Sequence, residues 1–166
     1  MRTPLRLLSI ILATTLIVAL GACSKKKKEE GGPESSAPIS ESDLGGGADS
    51  DSGKAMGLET VHYAYDSATL DPGAKSTLKA NSQILKDKTS LKVQIEGHCD
   101  ERGGIQYNIA LGERRANAAK AFLVDKGVDA ERVTIISYGK EKPIDQGHDD
   151  SAWAKNRRAN FRVTDK

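Results

Sequence analysis

The chain has 166 residues, enough for one domain with extensions but short of two full domains. Hydrophobic residues make up 37% and charged residues 29%, an ordinary composition for a chain whose bulk folds in water. A formal net charge of +2 is too small to argue for a nucleic-acid partner.

The N-terminus reads as a targeting segment. Arg2 and Arg6 precede a mostly apolar run from Leu7 to Leu20, which is short for a membrane-spanning helix of ~20 residues. Small residues follow, and then Cys23. A secretory signal over 1–22 has this layout, the alternative being an uncleaved anchor. Leu20-Gly21-Ala22-Cys23 resembles a lipobox, the bacterial signal for attaching lipid to a cysteine thiol and cleaving just before it. The thiolate is a good nucleophile for such a step. One acyl chain holds only marginally, at ~0.8 kcal/mol per buried methylene, so stable anchoring implies several chains on Cys23. By analogy with lipoproteins in general, Ser24 in place of an Asp points to the outer membrane. With Cys23 lipidated, Cys99 has no partner for an intramolecular disulfide, so the fold must rest on its own core.

Residues 23–57 carry the lipidated cysteine and a tether. Lys25 to Lys28, Glu29 and Glu30 form a charged run, followed by Pro33, Pro38, several serines and Gly45 to Gly47. Such a segment buries too little apolar surface to offset its ordering entropy and is expected to be disordered. The lysines next to a lipid anchor either touch anionic head groups or are simply solvated.

A folded domain is expected over 58–166. Thr60 to Tyr65 is a β-branched and aromatic run, a short strand. Asp71-Pro72 starts a helix, with Asp as the cap and Pro in the first turn. Ala74, Leu78, Asn81 and Leu85 recur on one face of it, to an end near Lys88. Leu91, Val93 and Ile95 alternate with Lys92, Gln94 and Glu96, a half-buried strand that Gly97 ends. A second helix runs from about Gln106 to Lys126, with Leu111, Ala118, Ala119, Phe122 and Leu123 on its buried face and Gly127 at its cap. Val133 to Tyr138 is a third strand, Trp153 lies on a short helix, and Ala159 to Thr164 is a last strand. The order β-α-β-α-β-β implies an α+β domain, with helices packed on one face of a small mixed sheet.

Arg115 is the most informative residue. It follows Leu111 by four and precedes Ala118 and Ala119 by three and four, so it falls on the apolar stripe, where a solvated arginine does not belong. A guanidinium drawn into a partly buried position needs a carboxylate. Asp100, on the turn Gly97-His98-Cys99-Asp100-Glu101-Arg102-Gly103, is the obvious internal partner. Two readings follow. The pair is an internal salt bridge, or the two residues face each other across a groove as a clamp for a zwitterion. In the clamp the acid takes an ammonium and the arginine a carboxylate.

Tyr65-Asp66-Ser67, Glu96 to Gly103, Tyr107 to Ala116, Ser137-Tyr138-Gly139, Pro143, Gly147-His148-Asp149 and Asn156-Arg157-Arg158 stand in an order and spacing that resemble the peptidoglycan-associated lipoprotein family. That family is part of the wider group of OmpA-like C-terminal domains, and the likeness covers essentially all of 58–166. The resemblance implies that Asp100 and Arg115 hold the diaminopimelate of the peptidoglycan stem peptide. It implies that Arg102 and Leu111 line the site, that Tyr65 and Asp66 close its other side, and that Asn108 fixes the loop before the helix. Tyr65 departs from the usual Phe, and Cys99 from the frequent Thr or Ala. The resemblance also implies an outer-membrane tether working with TolB and the Tol system in cell division, or a module acting mainly through TolB. No cofactor or metal is expected.

Catalysis is not expected. His98, Cys99, Asp100 and Glu101 are adjacent on an extended segment, so their side chains diverge, and neither Cys-x-x-Cys nor His-Glu-x-x-His occurs. His98 reads as a residue hydrogen-bonding the turn. Arg157, Arg158 and Arg162 form a small basic cluster, but an exported lipoprotein meets no nucleic acid. The first two are expected to flank the groove or pair with nearby acids.

Overall fold

A computed structural model describes residues 48–165. The signal, the lipobox, Cys23 and most of the tether lie outside the described residues. The elements are β1 (Val61–His62), α1 (Pro72–Asp87), β2 (Lys92–His98), α2 (Ile105–Asp125), a 3₁₀ turn at Ala130–Arg132, β3 (Val133–Gly139), α3 (Asp150–Asn156) and β4 (Arg158–Asp165). The sheet order is β1-β4-β2-β3. β2 and β3 are parallel, and β4 is antiparallel to both of its neighbours. This is the expected α+β architecture.

Local chemistry accounts for the helices. The Asp71 carboxylate accepts from the Ala74 N–H at 2.7 Å, and Pro72 begins α1 where its missing N–H costs nothing. Ala74, Leu78, Asn81 and Leu85 are all buried. On α2 the buried stripe runs through Asn108, Leu111, Gly112, Arg115, Ala116, Ala119 and Leu123, with Ala118 and Phe122 at its flank. Leu78, Leu85, Leu123, Val93, Ile95 and Phe161 are sealed in one core between helices and sheet. Each such side chain contributes about 1.5–3 kcal/mol.

Two glycines set how closely α2 approaches the sheet. A Cβ on Gly97 would lie 1.9 Å from the Gly112 carbonyl oxygen, and one on Gly112 would lie 2.3 Å from Ser137 Oγ. Backbone therefore rests on backbone here, and Arg115, one turn further along α2, is carried into the interior.

Four features differ from the sequence expectation. β1 spans two residues, because Tyr63 N–H already turns to the Arg157 carbonyl and Asp66 has a positive φ of 51°. Gly97 does not end β2; the strand continues to His98, held between β4 and β3. Nor is that strand half-buried at its C-terminal end, since Glu96 and His98 on the second face are both covered. Finally, the segment from Ala48 onward is packed, ahead of Leu58. Ser50 N–H donates to Phe161 O, Val163 N–H donates to Ala48 O, and Asp49 bridges Arg162 antiparallel. Ser50 Oγ donates to Asn160 at 2.7 Å, Asp51 pairs with buried Arg158 at 2.7 Å, and Ala55 is fully buried. A polar stretch that would not order alone is ordered by partners on β4.

Candidate functional site

The C-terminal end of β2, the loop 99–104 and the first turns of α2 enclose a cleft of about 100 Å³. Tyr65, Asp66, Asp100, Arg102, Asn108, Leu111 and Arg115 all line it, together with Cys99, Gly103 and Tyr107. The residues singled out from the sequence thus meet at one place, apart from Cys23, which lies outside the described residues.

The loop that presents Asp100 is anchored at several points. Cys99 N–H donates to the Gly139 carbonyl at 2.7 Å, and its thiol donates to the Asn108 carbonyl at 3.3 Å. Asn108 Nδ2 donates to Arg102 O at 2.8 Å, and Lys140 Nζ donates to Glu101 O and Gly103 O. These bonds spread the loop over the N-terminus of α2 and leave the Cys99 thiol buried, with its pKa raised by that burial.

Arg115 is 0% exposed. Its Nε donates to Ser67 O at 2.8 Å, Nη1 to His98 O at 2.8 Å and Nη2 to Ala64 O at 3.1 Å. No carboxylate among the described residues stands within ion-pair distance, so the internal Arg115–Asp100 salt bridge, one of the two readings, is not formed. Three carbonyls from chain-distant turns solvate the charge without neutralising it. Burial pulls its pKa below the ordinary arginine value, opposed by nearby groups including Asp100, and a guanidinium in a protein remains charged.

Asp100, 4% exposed, is paired with other arginines. Arg102 donates to it through Nε at 3.3 Å and Nη2 at 2.6 Å, and Arg157 Nη1 donates at 3.3 Å. Burial is the largest influence on its carboxyl and opposes ionisation. The hydrogen bonds and charges of Arg102 and Arg157 outweigh it and hold the pKa below the usual carboxylate range. Three arginines against one buried acid leave the floor of the cleft positive. At the rim, Asp66 accepts from Tyr107 Oη. Tyr65 and Tyr107 are exposed there, Tyr65 to 61%, and Ile105 is exposed at the start of α2.

Sequence reasoning missed Trp153. Its ring lies 4.1 Å from the Arg102 guanidinium, which also sits 4.0 Å over Tyr65. Only an aromatic on the short α3 hinted at it. Arg157 and Arg158 do pair with acids, Asp100 and Asp51 respectively. The role expected of the His98 ring is not seen. Among the described residues neither ring nitrogen has a partner within hydrogen-bond distance, Glu96 standing 3.8 Å from Nε2, and the ring packs near Tyr138 at 5.6 Å. It is the His98 backbone carbonyl that serves the site, by accepting from Arg115.

A cleft at strand ends, lined by opposed charges on a four-stranded α+β scaffold, defines a small binding domain. The sequence profile of the OmpA family matches residues 62–157. The peptidoglycan-associated lipoprotein of Pseudomonas aeruginosa is 42% identical over 70% of this chain and 68% of its own length. That of Agrobacterium fabrum is 38% identical over 90% of this chain and 84% of its own. The crystal structure of the peptidoglycan-associated lipoprotein from Burkholderia pseudomallei is 35% identical and covers 68% of this chain and 96% of that one, with a TM-score of 0.63. The chain belongs to the OmpA family and, within it, to the peptidoglycan-associated lipoproteins. The OmpA domain is a binding module and not a catalytic one.

Proposed function

We propose that the domain binds peptidoglycan noncovalently through the stem peptide and, with lipid on Cys23, tethers the outer membrane to the wall from the periplasmic side. The observation that carries this reading is Arg115, a fully buried cation that lines an open cleft with no carboxylate of its own. A ligand carboxylate would supply the missing charge, and a guanidinium takes one bidentately. Asp100 would take the ammonium, so that a residue carrying both groups, such as meso-diaminopimelate, spans the cleft. Leu111, Tyr65 and Asp66 wall it, and Asn108 holds the loop.

The position of the tether supports the same reading. Ala48 meets β4 at Val163, while the cleft lies beyond the other end of that strand, at Arg158. At ~3.4 Å per residue the two are roughly 17 Å apart along the strand. Tension between membrane and wall would then run lengthwise through the sheet. Residues 24–47 would span the remaining gap.

A second reading rests on the exposed rim of Tyr65, Ile105 and Tyr107, an apolar collar suited to a protein. The family resemblance makes TolB the partner to test, with a role beside the Tol proteins in envelope integrity and division.

The deciding experiment is a pull-down of the full-length lipoprotein in mild detergent with diaminopimelate-type sacculi. Wild type is expected to co-sediment and Arg115→Met to stay in solution. Equal co-sedimentation would remove Arg115 from the binding role, and absence of wild-type binding would move the main function to the protein partner.

A further inference from the structure

Asp100 has no room for a ligand in the structure described above. Oδ1 accepts from the Arg102 backbone N–H at 3.2 Å and from Arg102 Nε at 3.3 Å. Oδ2 accepts from Arg102 Nη2 at 2.6 Å and from Arg157 Nη1 at 3.3 Å. A carboxylate offers about four lone-pair sites, so all are taken. An ammonium reaches Asp100 only if one of the two guanidinium groups withdraws.

Their attachments indicate which one moves. Arg157 is the more enclosed, at 15% side-chain exposure, and its Nε is bonded to the Tyr63 carbonyl at 3.1 Å. Arg102 is 32% exposed, and among the described residues its side chain hydrogen-bonds to Asp100 alone. What else holds it is aromatic: the Tyr65 ring at 4.0 Å and the Trp153 ring at 4.1 Å. Trp153 is fixed in turn, since its Nε1 donates to Glu101 Oε1 at 2.8 Å and the other oxygen of Glu101 pairs with His148 Nδ1 at 2.7 Å.

We propose that Arg102 is an internal occupant of the ammonium position and that Trp153 is the positioning residue that keeps it there, setting the affinity of the cleft. The proposal rests on the reading that Asp100 receives an ammonium. In the closed arrangement the Arg102 guanidinium stands where the ligand cation would bind. Binding requires Arg102 to leave Asp100 and the aromatic pair, so only the open fraction is competent and the apparent affinity falls by that fraction. A ligand without an ammonium gains nothing at Asp100 to displace it. Tyr65 lines the cleft itself, whereas Trp153 is not among the residues that line it, so Trp153 separates the control of Arg102 from contact with the ligand.

The test is calorimetric titration of the full-length lipoprotein in detergent with a stem tripeptide containing meso-diaminopimelate. Weakening one cation–π contact is expected to make Trp153→Leu bind about fivefold tighter, with faster association. A purely structural role for Trp153 would give unchanged or weaker binding, and either result in a folded variant overturns the proposal. If the melting curve shows Trp153→Leu to be unfolded, Arg102→Met takes its place. It too is expected to bind more tightly, and unchanged or weaker binding would again overturn the proposal. Asp100→Asn separates the two levels. It should lose binding, and wild-type affinity in that variant would overturn the ammonium reading itself.

Discussion

Two arginines are buried near the C-terminal end of β2, on opposite faces of the sheet, and they are solvated differently. Arg158, at the start of β4, is buried on the second face of the sheet and closes on Asp51 at 2.7 Å. Arg115, on α2, is buried on the helical side, and its side-chain hydrogen bonds among the described residues all go to carbonyl oxygens. A buried cation that has found its own carboxylate holds chain segments together, here the end of the tether against β4. On the proposed reading, a buried cation left without one, beside an open cleft, takes an anion from outside. Desolvating a charge is costly unless a counter-charge or a set of hydrogen bonds offsets it.

That contrast can be broken at either arginine. The largest effect on binding is expected from Arg115→Met, which should abolish co-sedimentation with sacculi. It also leaves the carbonyls of Ala64, Ser67 and His98 without their donor, so a lower melting temperature should accompany the loss. A melting temperature that falls while binding persists would make Arg115 a structural residue like Arg158. Next in size, Asp51→Ala strands the Arg158 charge in the interior and is expected to destabilise the domain by about 3 kcal/mol. Urea denaturation measures this, and wall binding by the folded fraction should be unchanged. A loss of less than about 0.5 kcal/mol would mean that the pair contributes as little as an exposed one.

The smallest effect concerns pH. Burial holds the His98 pKa below its ordinary value, although Glu96 at 3.8 Å opposes this. The unfolded chain therefore takes up the proton first. Stability is full above the unfolded histidine pKa of ~6.5 and is lost as pH falls from there through the folded value. His98→Gln should flatten that limb in melting curves taken across it. An unaltered slope would assign the acid sensitivity elsewhere, with the carboxyl of Asp100, whose lowered pKa acts in the same direction at lower pH, the next group to test.

The sequence by itself determined the helices, the caps at Asp71 and Gly127, the buried stripe that includes Arg115, and the succession of strands and helices along the chain. These depend on neighbours within a few positions, where periodicity and capping chemistry act. The nearness of Asp100 to Arg115 was also legible, from one turn and the helix that follows it, whereas Arg102, Asn108 and Leu111 joined them only through the family resemblance. Only the tertiary structure decided which partners those charges take. Arg115 chose carbonyls at 64, 67 and 98, and Asp100 chose Arg102 and Arg157. The same holds for the brevity of β1, the docking of residues 48–51 on β4 and the placing of Trp153 over Arg102. Each of these pairings joins segments far apart in the chain, and a short polar stretch or a lone charge carries no local signal of the surface that will receive it.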